Sequence, residues 1–381
     1  MNRSENCRKK LARMNMALRH EEPDRVPVSD FFWGGFLKRW RHELGLPADA
    51  NPYSYYDLDW QVTLPNMDPQ IRPFETISES AGEVTVKTGF GAVIRKKFDQ
   101  AMPGFIGFET STLEKLEALR FDPATDGRRF FAGGDNQIAG VGDAFERNSP
   151  PWIDTVKSIH ADFPVYGSVC EAHEMLWRIV GSENVMYWIG EHPERLGVQI
   201  ERVGRFCVEL AKAQIQAAGG LLDGMVVWGD VAYRKCMLFS PVYWRRWFKP
   251  VVAELVRVCH DAGLPVIYHG CGNARKIFDD LIDCGIDAYN PLEAKAGLDV
   301  VDLKRAFGSR LAFCGNMDVR LWAGGALSEV ESEVLRKLEA ARGGGYIFQS
   351  DHSVPSNISA ERYEFVLNLV RSRGRYPLML E

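Results

Sequence analysis

With 381 residues, 46% of them hydrophobic, the chain can fill a substantial core without disulfide or metal staples. Its 46 Lys+Arg nearly balance 51 Asp+Glu, a formal charge of -5, so no electrostatic footprint for nucleic acid is present and small-molecule or protein partners are expected. The eight cysteines are scattered rather than set in a loop-rich framework, and neither an apolar run of about 18 residues nor a secretion signal is found; a reducing, cytoplasmic location is expected.

A basic segment at 4–20 reads as a helix, followed by strands at 25–29 (RVPVS) and 57–63 (DLDWQVT). The segment 66–160 departs from that rhythm: 82–98 (GEVTVKTGFGAVIRKKF) reads as a β-hairpin and 132–150 as a Gly/Asp/Asn-rich loop. From residue 160 onward, short β-rich runs at 164–169, 224–228, 264–269, 286–290, 310–314 and 345–349 alternate with helical patterns at 193–217, 241–262, 273–284, 299–307, 326–342 and 358–373. Ser240-Pro241, Asn273 and Asn357 supply helix-start signals. The pattern predicts one α/β domain over 1–381, a (βα)8 TIM barrel with an insertion after the second strand, at 66–160, that covers one mouth.

In such a barrel the site forms at the carboxyl ends of the strands. The residues there are Asp30, Cys170 and Glu171, Gly229 and Asp230, His269 to Asn273, Pro291 and Glu293, Cys314 to Asp318, and Asp351-His352. In Tyr268-His269-Gly270-Cys271-Gly272-Asn273 an imidazole and a thiol two residues apart can face one ion, with glycines letting the backbone fold tightly around it. Glu293 lies 22 residues after Cys271, on the neighbouring stave, about 4.8 Å away at strand spacing. His352 can close the set across the mouth. Cys314 ends an apolar run (LAFC) and reads first as a buried structural thiol, and Gly343-Gly344-Gly345, before the last strand, reads as a helix-ending turn rather than a phosphate cradle. The run YWRRWFK at 243–249 reads as an amphipathic helix face.

The chain resembles the uroporphyrinogen decarboxylase superfamily in MALRHEEPDRVPV, FSPVYWRRWFKP, YHGCGN, FCGNMD and GGYIFQSDHSVPSNIS. The resemblance covers most of the chain and implies a (βα)8 barrel with one of two chemistries, metal-free decarboxylation of a porphyrinogen or zinc-dependent methyl transfer with corrinoid proteins. The region matching the Arg-rich, propionate-gripping segment of the decarboxylases reads FFWGGFLKRWRHEL, without an RQAGR-like pattern, and Arg39 and Arg41 are two apart on a predicted helix. The methyltransferase branch is similar in His-x-Cys, matched by His269 and Cys271, whereas its second, C-terminal Cys is replaced by His352 in SDHSVP. The same His-x-Cys followed by Glu293 resembles the zinc site of cobalamin-independent methionine synthase.

The resemblance therefore implies a zinc-dependent methyltransferase acting between a small methylated or methoxylated substrate and a corrinoid protein, or from methyl-corrinoid to a thiol. His269 and Cys271 would be metal ligands and Glu293 and His352 would complete the set, with the fourth ligand open between His352 and Cys314. Glu171, Asp230 and Asp351 would support the ligands or handle protons. No D-x-H-x-x-G cobalamin pattern occurs, so the corrinoid is expected from a partner protein. With Glu293 detached, replacement of one thiolate by His352 makes the zinc more electrophilic, which favours demethylation of a methoxylated molecule; with Glu293 bound, two anionic ligands are restored and that preference is lost. The alternatives are a metal-free carboxy-lyase, with Asp230 and His352 binding pyrroles, and a non-catalytic corrinoid- or ligand-binding barrel. Phe31, Trp33, Trp40 and Trp60 suit an apolar or aromatic substrate, and analogy with other barrels leaves a homodimer open.

Overall fold

The computed structural model describes residues 2–133 and 149–380. In chain order its strands are β1 (Gln61–Val62), β2 (Glu75–Glu79), β3 (Glu83–Lys87), β4 (Ala92–Lys97), β5 (Gly104–Phe108), β6 (Val165–Cys170), β7 (Gly224–Trp228), β8 (Val266–His269), β9 (Ala288–Asn290), β10 (Ala312–Cys314) and β11 (Tyr346–Ile347). The fold is α/β. A seven-stranded parallel sheet runs in the order β1-β6-β7-β8-β9-β10-β11, with helices between successive strands.

The sheet curls. Val28 forms a parallel bridge with Phe348, just past β11, while its carbonyl accepts the amide of Asp59, just before β1. The expected strand at 25–29 thus appears only as isolated bridges, because Pro27 has no N–H to continue a ladder. Asp59, fully buried, secures the junction by accepting from Val28 N at 2.7 Å and from the guanidinium groups of Arg13 and Arg25.

Inside the curl, Trp60, Tyr166, Val226, Ile267, Ala288, Ala312 and Ile347 form a core cluster of their own with Met14, Ala17 and Leu18 of the helix Glu5–Leu18. Gly345, which leads into β11, donates to the Ala17 carbonyl, so this helix packs at the amino ends of the strands and leaves the carboxyl ends for chemistry. Gly343, Gly344 and Gly345 all have positive φ, and their N–H groups donate to Glu22, Ala341 and Ala17. The three glycines are a helix-ending turn with no donor left for a phosphate.

On the outside, the 26-residue helix Pro193–Ala218 begins with proline at its first turn and ends at Gly219 in the left-handed region, as its sequence predicts. It packs against Lys249–Asp261 so closely that a Cβ on Gly204 would lie 2.3 Å from Val251 Cγ2. The helix expected over 241–262 is in pieces: Pro241–Tyr243, a π-helical turn Trp244–Phe248, then Lys249–Asp261. Pro250 cannot donate to residue 246, and the π turn absorbs the missing bond. Trp244 and Phe248 are buried while Arg245 and Arg246 face solvent, the amphipathic division read from YWRRWFK.

Between β1 and β6 lies a second, antiparallel sheet in the order β2-β3-β4-β5. The expected hairpin at 82–98 is its β3–β4 centre, registered from Glu83↔Lys97 to Lys87↔Val93, with a further strand on each side. Val84, Val86 and Ile94 turn one face of it into the main core. Of the loop read at 132–150, residues 134–148 lie outside the described residues. No helix among the described residues is long and apolar enough to cross a membrane.

Candidate metal centre

Strand alternation places the first ligand candidate. Val226, Ile267 and Ala288 point into the inner cluster, so two residues on, Trp228, His269 and Asn290 point the same way at the strands' carboxyl ends. The His269 ring meets Trp228 edge-on at 4.6 Å and Phe31 at 6.1 Å. Its Nδ1 lies 2.6 Å from Asn290 Oδ1. Asn290 is buried, and its amide nitrogen donates to Gln349 Oε1 at 2.9 Å and faces the Cys314 carbonyl, which can only accept. The amide oxygen therefore faces the imidazole, Nδ1 carries the proton, and the Nε2 lone pair is free. Burial also lowers the His269 pKa, which keeps the ring neutral.

The turn after β8 brings Cys271 back to that lone pair. Gly272 takes φ +78°, and a Cβ there would lie 2.7 Å from the Tyr233 backbone, so the turn requires glycine. Cys271 Sγ sits 3.7 Å from His269 Nε2, and Cys271 N donates to Asp230 Oδ1 at 2.8 Å. Burial first, then the carboxylates of Asp230 and Glu293, push the Cys271 thiol well above its usual range. Burial first, then Glu174, raises Asp230 to about 7.

Glu293 follows β9 and is buried; its Oε2 accepts Gly272 N at 3.2 Å, on the turn that carries Cys271. Its Oε1 lies 3.1 Å from Lys295 Nζ and 3.9 Å from His352 Nε2. The His352 ring stacks on Trp33 at 5.6 Å, and its pKa is pushed down to about 4 by burial and then by Lys295.

Two donor groups result, Asp230–His269–Cys271 and Cys271–Glu293–His352, each with ligand atoms within 4.8 Å of one another. They share the Cys271 sulfur. Tetrahedral zinc with its usual bond lengths sets neighbouring ligand atoms about 3.4–3.6 Å apart, so the 3.7 and 3.9 Å separations suit such an ion with little movement. Two carboxylates, Asp230 and Glu293, flank the Cys271 sulfur, and Lys295 pairs with Glu293 alone, so the donor set suits a divalent cation.

Other residues named from the sequence take different places. Both carboxylate oxygens of Asp351 accept backbone amides, Ala294 N and Val319 N, each at 3.0 Å, so Asp351 ties the loops after β9 and β10 together, and burial raises it to about 6. Glu171 is fully buried; Oε1 caps the helix Ala172–Val180 through Glu174 N, Oε2 has no partner, and burial lifts the group to about 8. Cys314 packs in the inner cluster and joins neither donor group. Arg39 bonds Glu43 and the Ser356 carbonyl, whereas Arg41 bonds the Ala50 carbonyl, so the two guanidinium groups form no joint clamp. Sequence reasoning did not find Asp230 as a donor to the metal position, Asn290 as the group that sets the His269 tautomer, or Lys295. Asn290 ends a strand two residues after an inward alanine, which is the one signal that could have found it.

No curated protein matches the chain by sequence. Among solved structures it is similar to a methyltransferase from Methanosarcina mazei, with a TM-score of 0.66 and 17% identity over 95% of this chain and 98% of that one. It is also similar to a B12-independent methionine synthase from a Shewanella species, with a TM-score of 0.45 and 10% identity over 92% and 93% of the two chains. The first likeness shows a shared fold. The family model for uroporphyrinogen decarboxylase matches residues 143–373, more than half of the sequence and the whole run from β6 to β11 with His269, Cys271, Glu293 and His352, and the chain belongs to that family.

Proposed function

We propose that this protein is a zinc-dependent methyltransferase whose single domain, 1–381, works as a (βα)8 barrel with residues 25–29 as its first stave. The observation that carries the reading is the meeting of His269 Nε2 and Cys271 Sγ at 3.7 Å on one glycine-framed turn, with the imidazole tautomer set by Asn290. His269 and Cys271 would hold the metal, with Glu293, His352 and Asp230 offering the remaining donors. Zinc bound there supplies a Lewis acid, able to polarise a heteroatom of a methylated substrate or to lower the pKa of a thiol.

The chain's own groups do the rest. Asp230, held near 7, can accept the Cys271 proton, and Glu171, with one unpartnered oxygen and a proton retained to about 8, can donate one beside it. Phe31 lies 5.9 Å from the buried Trp60 and 6.0 Å from Trp228, and the exposed edges of Phe31 and Trp228 beside His269 would suit an apolar or aromatic substrate. Asp351 holds the loops that carry Glu293 and His352.

With Glu293 detached, Cys271 supplies the one thiolate of the donor groups and the metal keeps more positive charge, so a demethylating role on a methoxylated small molecule is favoured over presentation of an electron-rich thiolate. A separate corrinoid protein is the proposed methyl carrier. Methyl transfer from a methoxylated aromatic to a reduced corrinoid should be measurable and should fall in His352→Cys with metal content intact. Equal rates in that variant, or saturating turnover without any corrinoid, would contradict the reading.

A further inference from the structure

Of the donors around Cys271, three are tied down and one is contested. His269 is fixed through Asn290, Asp230 accepts the Cys271 amide, and His352 is stacked on Trp33. Glu293 alone has a cation on the oxygen that would face a metal: Lys295 Nζ is 3.1 Å from Oε1 while Oε2 stays anchored on Gly272 N. A carboxylate this buried, 5% exposed, cannot be released into water, so leaving a metal requires another positive partner. Lys295 meets that need. It sits on the turn Ala294–Ala296, its backbone carbonyl accepts from Arg234, and the neighbouring Ala294 amide is held by Asp351, so the backbone is fixed while the side chain, 41% exposed, can follow the carboxylate.

We propose that Lys295 is a positioning residue that competes with the metal for Glu293 and so makes Glu293 the exchangeable ligand, the one that yields its place when substrate enters. The proposal rests on the zinc reading above. No bond is made or broken in the substrate by this residue; it moves one carboxylate between two positive partners.

The test is zinc affinity, measured by chelator competition on the purified protein without substrate. In Lys295→Met the affinity should rise about tenfold, and in Lys295→Arg it should stay near wild type. A lysine near the site would also repel zinc directly, so the same substitution is made in a Glu293→Gln background. There the gain should vanish, because the contested carboxylate is gone. An unchanged or weakened affinity in Lys295→Met overturns the proposal while leaving the zinc reading in place. An equal gain in both backgrounds also overturns it, reducing Lys295 to a repelling charge. A wild type that binds no zinc overturns the zinc reading itself, and the role of Lys295 with it.

Discussion

Replacing Asn290 with leucine keeps about the same volume in a buried site and removes, besides a long 3.4 Å bond to the Cys314 carbonyl, two short hydrogen bonds, one from His269 Nδ1 at 2.6 Å and one to Gln349 Oε1 at 2.9 Å. Each leaves a buried polar group unpaired at a cost of about 1–3 kcal/mol, so roughly 2–6 kcal/mol of stability should be lost. The metal effect is separate. Without an acceptor at Nδ1 the imidazole can adopt the tautomer that puts the proton on Nε2, and loss of such an orienting partner lowers metal affinity about 10–100-fold. Asn290→Asp divides the two effects, since a carboxylate still accepts from Nδ1 but cannot donate to Gln349: affinity should stay at or above wild type while stability falls. Chelator competition and urea unfolding read the two quantities independently. A folded Asn290→Leu that binds zinc as tightly as wild type, or equal affinity losses in both variants, would refute the tautomer argument.

Burial holds the Asp30 carboxyl, which accepts from Ser350 and Tyr363, up to about 7 against an ordinary value near 4. Its contribution to stability is therefore full below about pH 4 and is lost as pH rises through about 7, so wild type should lose more melting temperature than Asp30→Asn between pH 4.5 and 7.5; parallel curves would count against it. Gly204→Ala forces a methyl against Val251 and should destabilise by about 1–3 kcal/mol, with Val251→Ala restoring part of the loss in denaturant unfolding. Cys314→Ala, in the inner cluster and outside both donor groups, should leave zinc stoichiometry unchanged while lowering stability; loss of metal would make Cys314 the fourth ligand after all.

The carboxyl-end residues were legible because parallel strands buried on both faces read as dense β-branched and aromatic runs, and whatever follows such a run lands at the mouth. Hence the turn at His269 and Cys271 could be placed from sequence, as could Glu293 one stave on. The flanking strands of the second sheet were not legible: β2 is exposed along its whole length and β5 is interrupted by glycines, so neither alternates in hydropathy. The helices Ala172–Val180 and Ser182–Glu191 also went unread, since Gly181 divides what would otherwise be one longer periodic segment. Asn290 and Lys295 act through a tautomer and a competing charge, and both depend on distances across staves that no local pattern encodes.

Whether the His269–Cys271 turn holds zinc is decided by the metal content of the purified wild type beside His269→Ala and Cys271→Ala. About one zinc per wild-type chain is expected, with loss of metal in both variants and the fold retained, because the core cluster inside the sheet does not include either side chain. Full zinc retained by both variants, or a folded wild type without zinc, would contradict it.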